Sequence, residues 1–349
     1  MTLTLQNRLD LLSELGHYIS SGGDEELDVA VRLSYTENQW FTEENTRESL
    51  RAISGSFLDA EKLRAWASAY DIPEENHHSK VVGLIMAGNI PLVGFHDWLC
   101  VFVTGNRAKV KLSDKDRRLL PVLVNKLGEW SHQSREQTIF IGDTDKLTGF
   151  DAVIATGSNN TARYFEQYFG KYPHIIRRNR NAVAVLTGLE TREELYALGK
   201  DIFMYFGLGC RNVSKLYVPH GYQFDNLLEV LHEYNRLINH NKYKNNFDYN
   251  MTLYVLNNMP YLNNGCLMLR EDPSLQSRIA AVHYEYYDDV SDLDSLLADR
   301  RDEIQCVVGR VSVNGFSVLP FGSSQEPGLF DYPDGVDVMK FLVSGEMKC

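Results

Sequence analysis

The sequence predicts a protein of the α/β class with two domains built on parallel sheets. Short, continuously apolar segments that suit buried strands alternate with amphipathic segments that suit helices, and this alternation is typical of parallel sheets with helical crossovers. The chain has 349 residues, which fits two domains at about 150 residues each. Apolar residues make up 44% and charged residues 23%, the profile of a globular protein with a sizeable core.

The first 70 residues are expected to be helical. Apolar residues recur there at intervals of three and four, from Leu5 to Ile19 and again from Leu58 to Ala69, and this spacing gives a helix one apolar face. Charged residues interrupt the first apolar stretch, so it does not have the character of a secretory signal peptide. We therefore expect a cytoplasmic protein.

After a polar linker at 71–80, one long apolar segment could be either a membrane span or a buried part of the core. From Val81 to Gly105 the only charged residue is Asp97, and a segment of that length could span a bilayer. Asparagine, proline, histidine and several glycines interrupt it, however. The segment is therefore predicted to form a buried strand at 81–87, a turn, and a buried helix at 96–103, with no membrane span.

The remaining elements follow from the same criteria. Strands are expected at 108–112, 138–141, 151–156, 182–186, 213–218, 279–284, 304–310 and 318–321. Helices are expected at 119–130, at 159–169, and after the capping box formed by Thr191 and Glu194. Residues 235–264 contain ten asparagines and are predicted to be a long irregular loop or hairpin, with an oligomer contact as the alternative.

Charge and cysteine content exclude several classes of function. The net charge is −12, whereas sequence-independent binding of nucleic acid phosphates needs a positive surface. The five cysteines are scattered without a Cys-x-x-Cys pair, which argues against a disulfide framework or a structural zinc site. No nucleic acid partner and no metal are expected.

Cys210 is the first candidate for chemistry. A lone cysteine is usually a small buried apolar residue, and the other four cysteines suit that interpretation. Cys210 instead follows Gly207 and Gly209 between a predicted helix and a predicted strand. The glycines let the backbone approach a substrate, and Arg211 would favour the thiolate.

Polar residues that follow predicted strands are the other candidates. Asn89 is either a turn former or an amide directed into a cleft at the carboxyl end of its strand. Gly157-Ser158 either caps a helix or binds a pyrophosphate at the helix N-terminus. Lys111, with Ser113 and Asp114 after it, is either solvated surface or a ribose or phosphate site.

Five short motifs, taken in order, resemble those of the aldehyde dehydrogenase superfamily, most closely the LuxC-type acyl-CoA reductases of bacterial bioluminescence. They are Ala87-Gly-Asn-Ile-Pro-Leu92, Gly105 to Asp114, Thr156-Gly-Ser158, Gly207-Leu-Gly-Cys210 and Leu319-Pro-Phe-Gly322. The resemblance implies an aldehyde-dehydrogenase-like fold, with a Rossmann-like cofactor domain and an α/β catalytic domain. We accordingly expect N-terminal helices and a dinucleotide-binding domain at 1–180, a catalytic domain at 181–318, and a C-terminal segment at 319–349 that returns to the active-site rim.

The resemblance also assigns roles to these motifs. It implies that Cys210 is the nucleophile and that Asn89 stabilises an oxyanion. It implies a cofactor site formed by Lys111, Ser113, Asp114, Gly157, Ser158 and Phe321. NADPH is the cofactor that the LuxC-type resemblance favours, while the acidic Asp114 beside the ribose favours NADH, because a carboxylate repels a 2′-phosphate.

One departure from the superfamily pattern indicates the reaction class. Hydrolytic members carry a Glu-Leu-Gly-Gly motif whose glutamate activates water, and the corresponding stretch here, Arg178 to Val183, has no glutamate. The sequence therefore favours NAD(P)H-dependent reduction of an acyl-CoA, with a fatty acyl chain expected, over hydrolysis to an acid. The alternatives are a hydrolytic aldehyde dehydrogenase with a base elsewhere and a non-catalytic binding or assembly subunit. The resemblance also implies a homo-oligomer and a partner protein that supplies acyl groups.

Overall fold

A computed structural model describes residues 3–142 and 144–344. The chain divides into two compact units: unit 1 comprises Met1–Asn179 with Pro327–Cys349, and unit 2 comprises Arg180–Glu326. Residues 319–326 thus belong to unit 2, whereas the rest of the C-terminal segment belongs to unit 1. Cys349 lies outside the described residues.

Unit 1 begins with four helices, which confirms the helical prediction over the described part of residues 1–70. They are α1 Leu5–Ser20, α2 Glu25–Glu37, α3 Glu43–Phe57 and α4 Ala60–Ser68. Each helix starts at a side-chain oxygen that accepts a backbone N–H of the first turn, from Thr4, Asp24, Thr42 and Asp59. These caps satisfy N–H groups that have no partner within the helix.

The sheet of unit 1 has five parallel strands in the order β3-β2-β1-β4-β5. The strands are β1 Val81–Ile85, β2 Arg107–Lys111, β3 Thr138–Phe140, β4 Ala152–Thr156 and β5 His174–Arg177. The accompanying helices are α5 Phe95–Val103, α6 Leu119–Trp130, α7 His132–Arg135, α8 Asn159–Phe169 and, from the C-terminal segment, α13 Val338–Val343. β5 was not predicted, because it contains only two apolar residues and arginines follow them directly.

The predicted strand, turn and buried helix of residues 81–105 are confirmed by β1 and α5. Every residue of α5 is buried, including Asp97, whose carboxylate pairs with the buried guanidinium of Arg177. A charge can persist in so apolar a helix because it is paired. Within the described residues, all helices fall short of the length and apolar character that crossing a bilayer requires.

Unit 2 contains a second, seven-stranded sheet in the order β12-β11-β6-β7-β10-β9-β8, parallel except for the β8–β9 pair at one edge. The strands are β6 Asn181–Val185, β7 Val213–Pro219, β8 Leu262–Asn263, β9 Met268–Glu271, β10 Ala281–Tyr287, β11 Ile304–Gly309 and β12 Val318–Leu319. The helices are α9 Arg192–Phe203, α10 Asp225–Leu231, α11 Asn241–Leu256 and α12 Val290–Ala298. The capping box of Thr191 and Glu194 is present at the start of α9.

The prediction of a long irregular loop at 235–264 is wrong, because most of this segment is the helix α11. Tyr243, Phe247, Asn250 and Tyr254 form its buried face, at spacings of four, three and four residues that suit a helix. The asparagine content concealed this stripe of aromatic residues. Asn250, on the buried face, donates from Nδ2 to the carbonyl of Ile279 at 2.8 Å, so it is satisfied within the core.

Candidate active site

Three of the predicted motifs lie at one edge of the unit 1 sheet. The Asn89 loop follows β1, the segment from Ser113 follows β2, and Gly157-Ser158 follows β4. These strands are adjacent and parallel, so their carboxyl ends meet at the same edge. The strand order changes direction between β1 and β4, and ligands of open parallel sheets bind in the crevice at such a point.

The loop that carries Asn89 has a tightly constrained backbone. Asn89 is half-buried, and a Cβ atom on the preceding Gly88 would lie 2.5 Å from Ser113 Oγ. Leu92 adopts a left-handed conformation with φ of 57°, which is uncommon for a residue with a branched side chain. The Leu92 N–H donates to Asp116 Oδ2 at 2.7 Å, and this bond holds the end of the loop.

Asp116 is a residue of this site that sequence reasoning missed. Burial raises the pKa of its carboxyl group to about 7, against the opposing effect of the Leu92 N–H. Its Oδ1 atom is buried and has no hydrogen-bond partner among the described residues. In sequence it stands among charged residues and looks like solvated surface, so only its contact with the Asn89 loop distinguishes it.

The predicted ribose-binding residues occupy the last position of β2 and the loop after it. Lys111 Nζ donates to the carbonyl of Asp145 at 2.8 Å, and Ser113 Oγ accepts the N–H of Lys115 at 3.3 Å. Asp114 is exposed. The Lys111 ammonium group is thus held by a backbone carbonyl, while the Asp114 side chain is exposed to solvent.

Gly157 and Ser158 form the junction between β4 and α8. Ser158 Oγ accepts the N–H of Thr161 at 3.3 Å, so the N-cap interpretation is correct for this serine. A cap does not exclude anion binding, because a helix start presents several N–H groups and the positive end of the helix dipole. The Gly157 N–H also points to the carbonyl of Arg177 at 3.4 Å, which joins this loop to the end of β5.

Cys210 lies in unit 2, between the end of α9 and the start of β7. Tyr205, Phe206 and Gly207 are consecutive residues with φ of 51°, 58° and 76°. Left-handed backbone at the two aromatic residues costs about 1–3 kcal/mol each and is concentrated at functional sites in proteins. Cys210 is half-buried, whereas the other described cysteines are buried, and none of the described cysteines forms a disulfide. Sequence context therefore distinguished the one partly accessible thiol among them.

Phe321 also belongs to unit 2, in the segment that follows β12. Its ring is partly buried against the core of the second sheet. The carboxylate of Asp201, on α9, accepts the N–H of Gly322 at 2.6 Å and the N–H of Ser324 at 3.0 Å. Asp201 is fully buried, and sequence reasoning assigned it no role.

Six predicted residues of unit 1 thus lie at the carboxyl ends of β1, β2 and β4 or in the loops that follow, namely Asn89, Lys111, Ser113, Asp114, Gly157 and Ser158. Cys210 and Phe321 are in unit 2. The roles assigned to all eight residues stay predictions.

The described structure is similar to solved aldehyde dehydrogenases. Lactaldehyde dehydrogenase from Escherichia coli shares 14% identity over 89% of this chain and 75% of its own, with a TM-score of 0.63. An aldehyde dehydrogenase from Bacillus cereus in its NAD+ complex shares 14% identity over 89% of this chain and 72% of its own, with a TM-score of 0.60. Betaine aldehyde dehydrogenase from Staphylococcus aureus in complex with NAD+ shares 14% identity over 89% of this chain and 71% of its own, with a TM-score of 0.64. No protein-family model and no curated protein matches the sequence.

These likenesses confirm the predicted fold class. The chain has the aldehyde dehydrogenase fold, with a Rossmann-like α/β unit and a second α/β unit that are each built on a largely parallel sheet. At identities of 14%, these likenesses show the fold alone, because one fold hosts many activities.

Proposed function

We propose that this protein reduces an acyl-CoA thioester to the aldehyde with NADPH, or alternatively NADH, through an acyl-enzyme on Cys210. The observation that carries the proposal is the convergence of three motif loops, after β1, β2 and β4, at the crevice of the unit 1 sheet. The likeness to two aldehyde dehydrogenases in complex with NAD+ supports a nicotinamide cofactor.

The residues at this crevice suit a dinucleotide. α8 is an eleven-residue helix that starts directly after Gly157-Ser158, and such an N-terminus suits a pyrophosphate. The Lys111 ammonium and the exposed Asp114 carboxylate are groups that suit ribose hydroxyls. When bound, the cofactor supplies the hydride.

The proposed chemistry uses the thiol twice. Cys210 attacks the acyl carbonyl as a thiolate, a Cys–acyl thioester forms, and the CoA thiolate leaves. The Asn89 amide donates a hydrogen bond to the oxygen that becomes negative during this step. After reduction of the acyl carbon, the alkoxide of the thiohemiacetal collapses, so that the C–S bond breaks, the aldehyde leaves and Cys210 returns to the thiolate form.

The residues at the end of β5 favour reduction over hydrolysis. Arg178 pairs with Glu166, and Arg177 with Asp97, while residues 178–183 contain no carboxylate. General-base assistance is typically worth about 10²–10⁴-fold in rate. An acyl-enzyme that lacks such a base at this position is expected to wait for hydride or for a thiol.

The direct test is an assay with fatty acyl-CoA substrates of different lengths and either NADPH or NADH. We expect cofactor oxidation, CoA release and aldehyde formation in equal amounts, measured by absorbance, thiol titration and aldehyde trapping. A protein that binds neither cofactor and releases no CoA would instead be a binding or assembly subunit, and the proposal would fail.

Asn89→Ala is expected to lower kcat by about 10²–10³-fold, the usual effect of losing one oxyanion donor. Dinucleotide affinity should stay nearly unchanged, because the amide acts on the acyl oxygen. Steady-state kinetics and a fluorescence titration with NADPH separate these quantities. Loss of dinucleotide affinity with normal turnover of the bound enzyme would place Asn89 in the cofactor site.

A further inference from the structure

Two buried polar residues of unit 2 connect the Cys210 loop to the segment that carries Phe321. Asp201 lies near the end of α9, and Asn212 lies two residues after Cys210. Asp201 is fully buried and Asn212 is only 3% exposed. Neither has a role in the proposed chemistry.

Asn212 closes the Cys210 loop with both halves of its amide. Its Oδ1 atom accepts the N–H of Gly209 at 2.8 Å. Its Nδ2 atom donates to the carbonyl of Met204 at 2.8 Å and to that of Asp201 at 3.0 Å. Helix ends leave carbonyls without intrahelical partners, and here one side chain satisfies two of them just before the strained residues Tyr205 and Phe206.

Asp201 extends this connection to the segment that carries Phe321. Its backbone carbonyl accepts from Asn212, while its carboxylate accepts the N–H groups of Gly322 and Ser324, at 2.6 and 3.0 Å. Burial of a carboxylate is costly unless it is hydrogen-bonded, so these two donors are needed once α9 packs. The backbone on each side of Phe321 is therefore tied to the residue that also anchors the Cys210 loop.

We infer that Asp201 and Asn212 are positioning residues, which hold the Cys210 thiol and the Pro320–Gln325 segment in one fixed arrangement within unit 2. The left-handed turn before Cys210 is strained, and strained backbone persists only where its surroundings over-determine it. Asn212 supplies that constraint from the far side of the thiol. Without it, the turn is free to relax and the thiol moves.

The test compares Asn212→Ala with Asn250→Ala. Asn250 is also a buried asparagine of unit 2 whose Nδ2 donates to a backbone carbonyl, that of Ile279 at 2.8 Å, so it controls for a general loss of packing. Each folded variant, checked by circular dichroism, is treated with iodoacetamide, and alkylation is followed for each cysteine by peptide mass spectrometry.

For Asn212→Ala we expect faster alkylation of Cys210 alone, with the buried Cys266 and Cys306 still protected. We also expect kcat for acyl-CoA reduction to fall about a hundredfold, as a displacement of about 1 Å can cause, with the KM values for cofactor and acyl-CoA unchanged. Asn250→Ala should leave both readouts at the wild-type level. Asp201→Asn, which keeps the shape but loses the charge, should change both in the same direction as Asn212→Ala.

If Asn212→Ala does not fold, Asn212→Asp takes its place, because it keeps the acceptor for Gly209 and replaces the amide donor with a carboxylate oxygen that repels the carbonyls of Asp201 and Met204. Unchanged Cys210 alkylation and kcat in the folded Asn212 variant, or equal effects in Asn250→Ala, would overturn the inference. The kinetic readout rests on the proposed function, but the alkylation readout does not. An enzyme without acyl-CoA reduction would thus refute the function and leave the positioning role testable.

Discussion

Cys210→Ala is expected to abolish covalent transfer of an acyl group from acyl-CoA to the protein. The thiolate is the only group that the proposed chemistry acylates, and alanine cannot replace it. The measurement is incubation with a radiolabelled acyl-CoA in the absence of reduced cofactor. Label should remain on the wild-type protein after denaturation and should be released by hydroxylamine, which cleaves thioesters.

Cys306→Ala provides the matched control for this experiment. Cys306 is a buried thiol on β11 of the same unit, so its loss changes the core slightly without removing the proposed nucleophile. The variant should retain the label at the wild-type level. Label that persists on Cys210→Ala, or that disappears from Cys306→Ala alone, would show that the nucleophile has been assigned to the wrong residue.

Aldehyde oxidation with NADP+ or NAD+ alone is expected to stall after one turnover per active site. The acyl-enzyme lacks a water-activating base at residues 178–183, and such a base is typically worth about 10²–10⁴-fold. Stopped-flow absorbance should record a burst of reduced cofactor equal to the number of active sites. The steady rate of cofactor reduction after the burst should be about 10²–10⁴-fold lower than the rate during the burst. Adding CoA should restore turnover by thiolysis and yield acyl-CoA.

The same experiment identifies a substitute base if one exists. Two histidines lie at strand ends. His174, the first residue of β5, contacts the carbonyl of Tyr172 through Nδ1 at 2.8 Å, and His220, which follows β7, lies 3.3 Å from Asp288. Sustained formation of carboxylic acid without CoA would place the enzyme in the hydrolytic branch. Its disappearance in a glutamine variant of either histidine would then name the base.

Elements whose signals are local could be predicted from the sequence alone. The continuously apolar β1 and the fully buried α5, and the cap of α9 at Thr191, follow from patterns within a few neighbouring residues. Their order along the chain was enough to predict parallel sheets, and the resemblance of the five motifs predicted the aldehyde dehydrogenase fold. The same order placed Asn89, Lys111 and Gly157 at or after the carboxyl ends of strands, and hence at one sheet edge.

The polar residues that support the site could be recognised only from contacts between distant parts of the folded chain. Asp201 meets Gly322 across 121 positions, Arg177 meets Asp97 across 80, and Asp116 meets Leu92 across 24. In sequence, Asp116 and Asp201 look like solvated surface, and nothing near Asp97 shows that Arg177 will pair with it, because a carboxylate is costly to bury until a distant donor meets it. The α11 helix was missed for a related reason: asparagine favours turns in isolation, whereas packing of the aromatic face overrides that preference once the core forms.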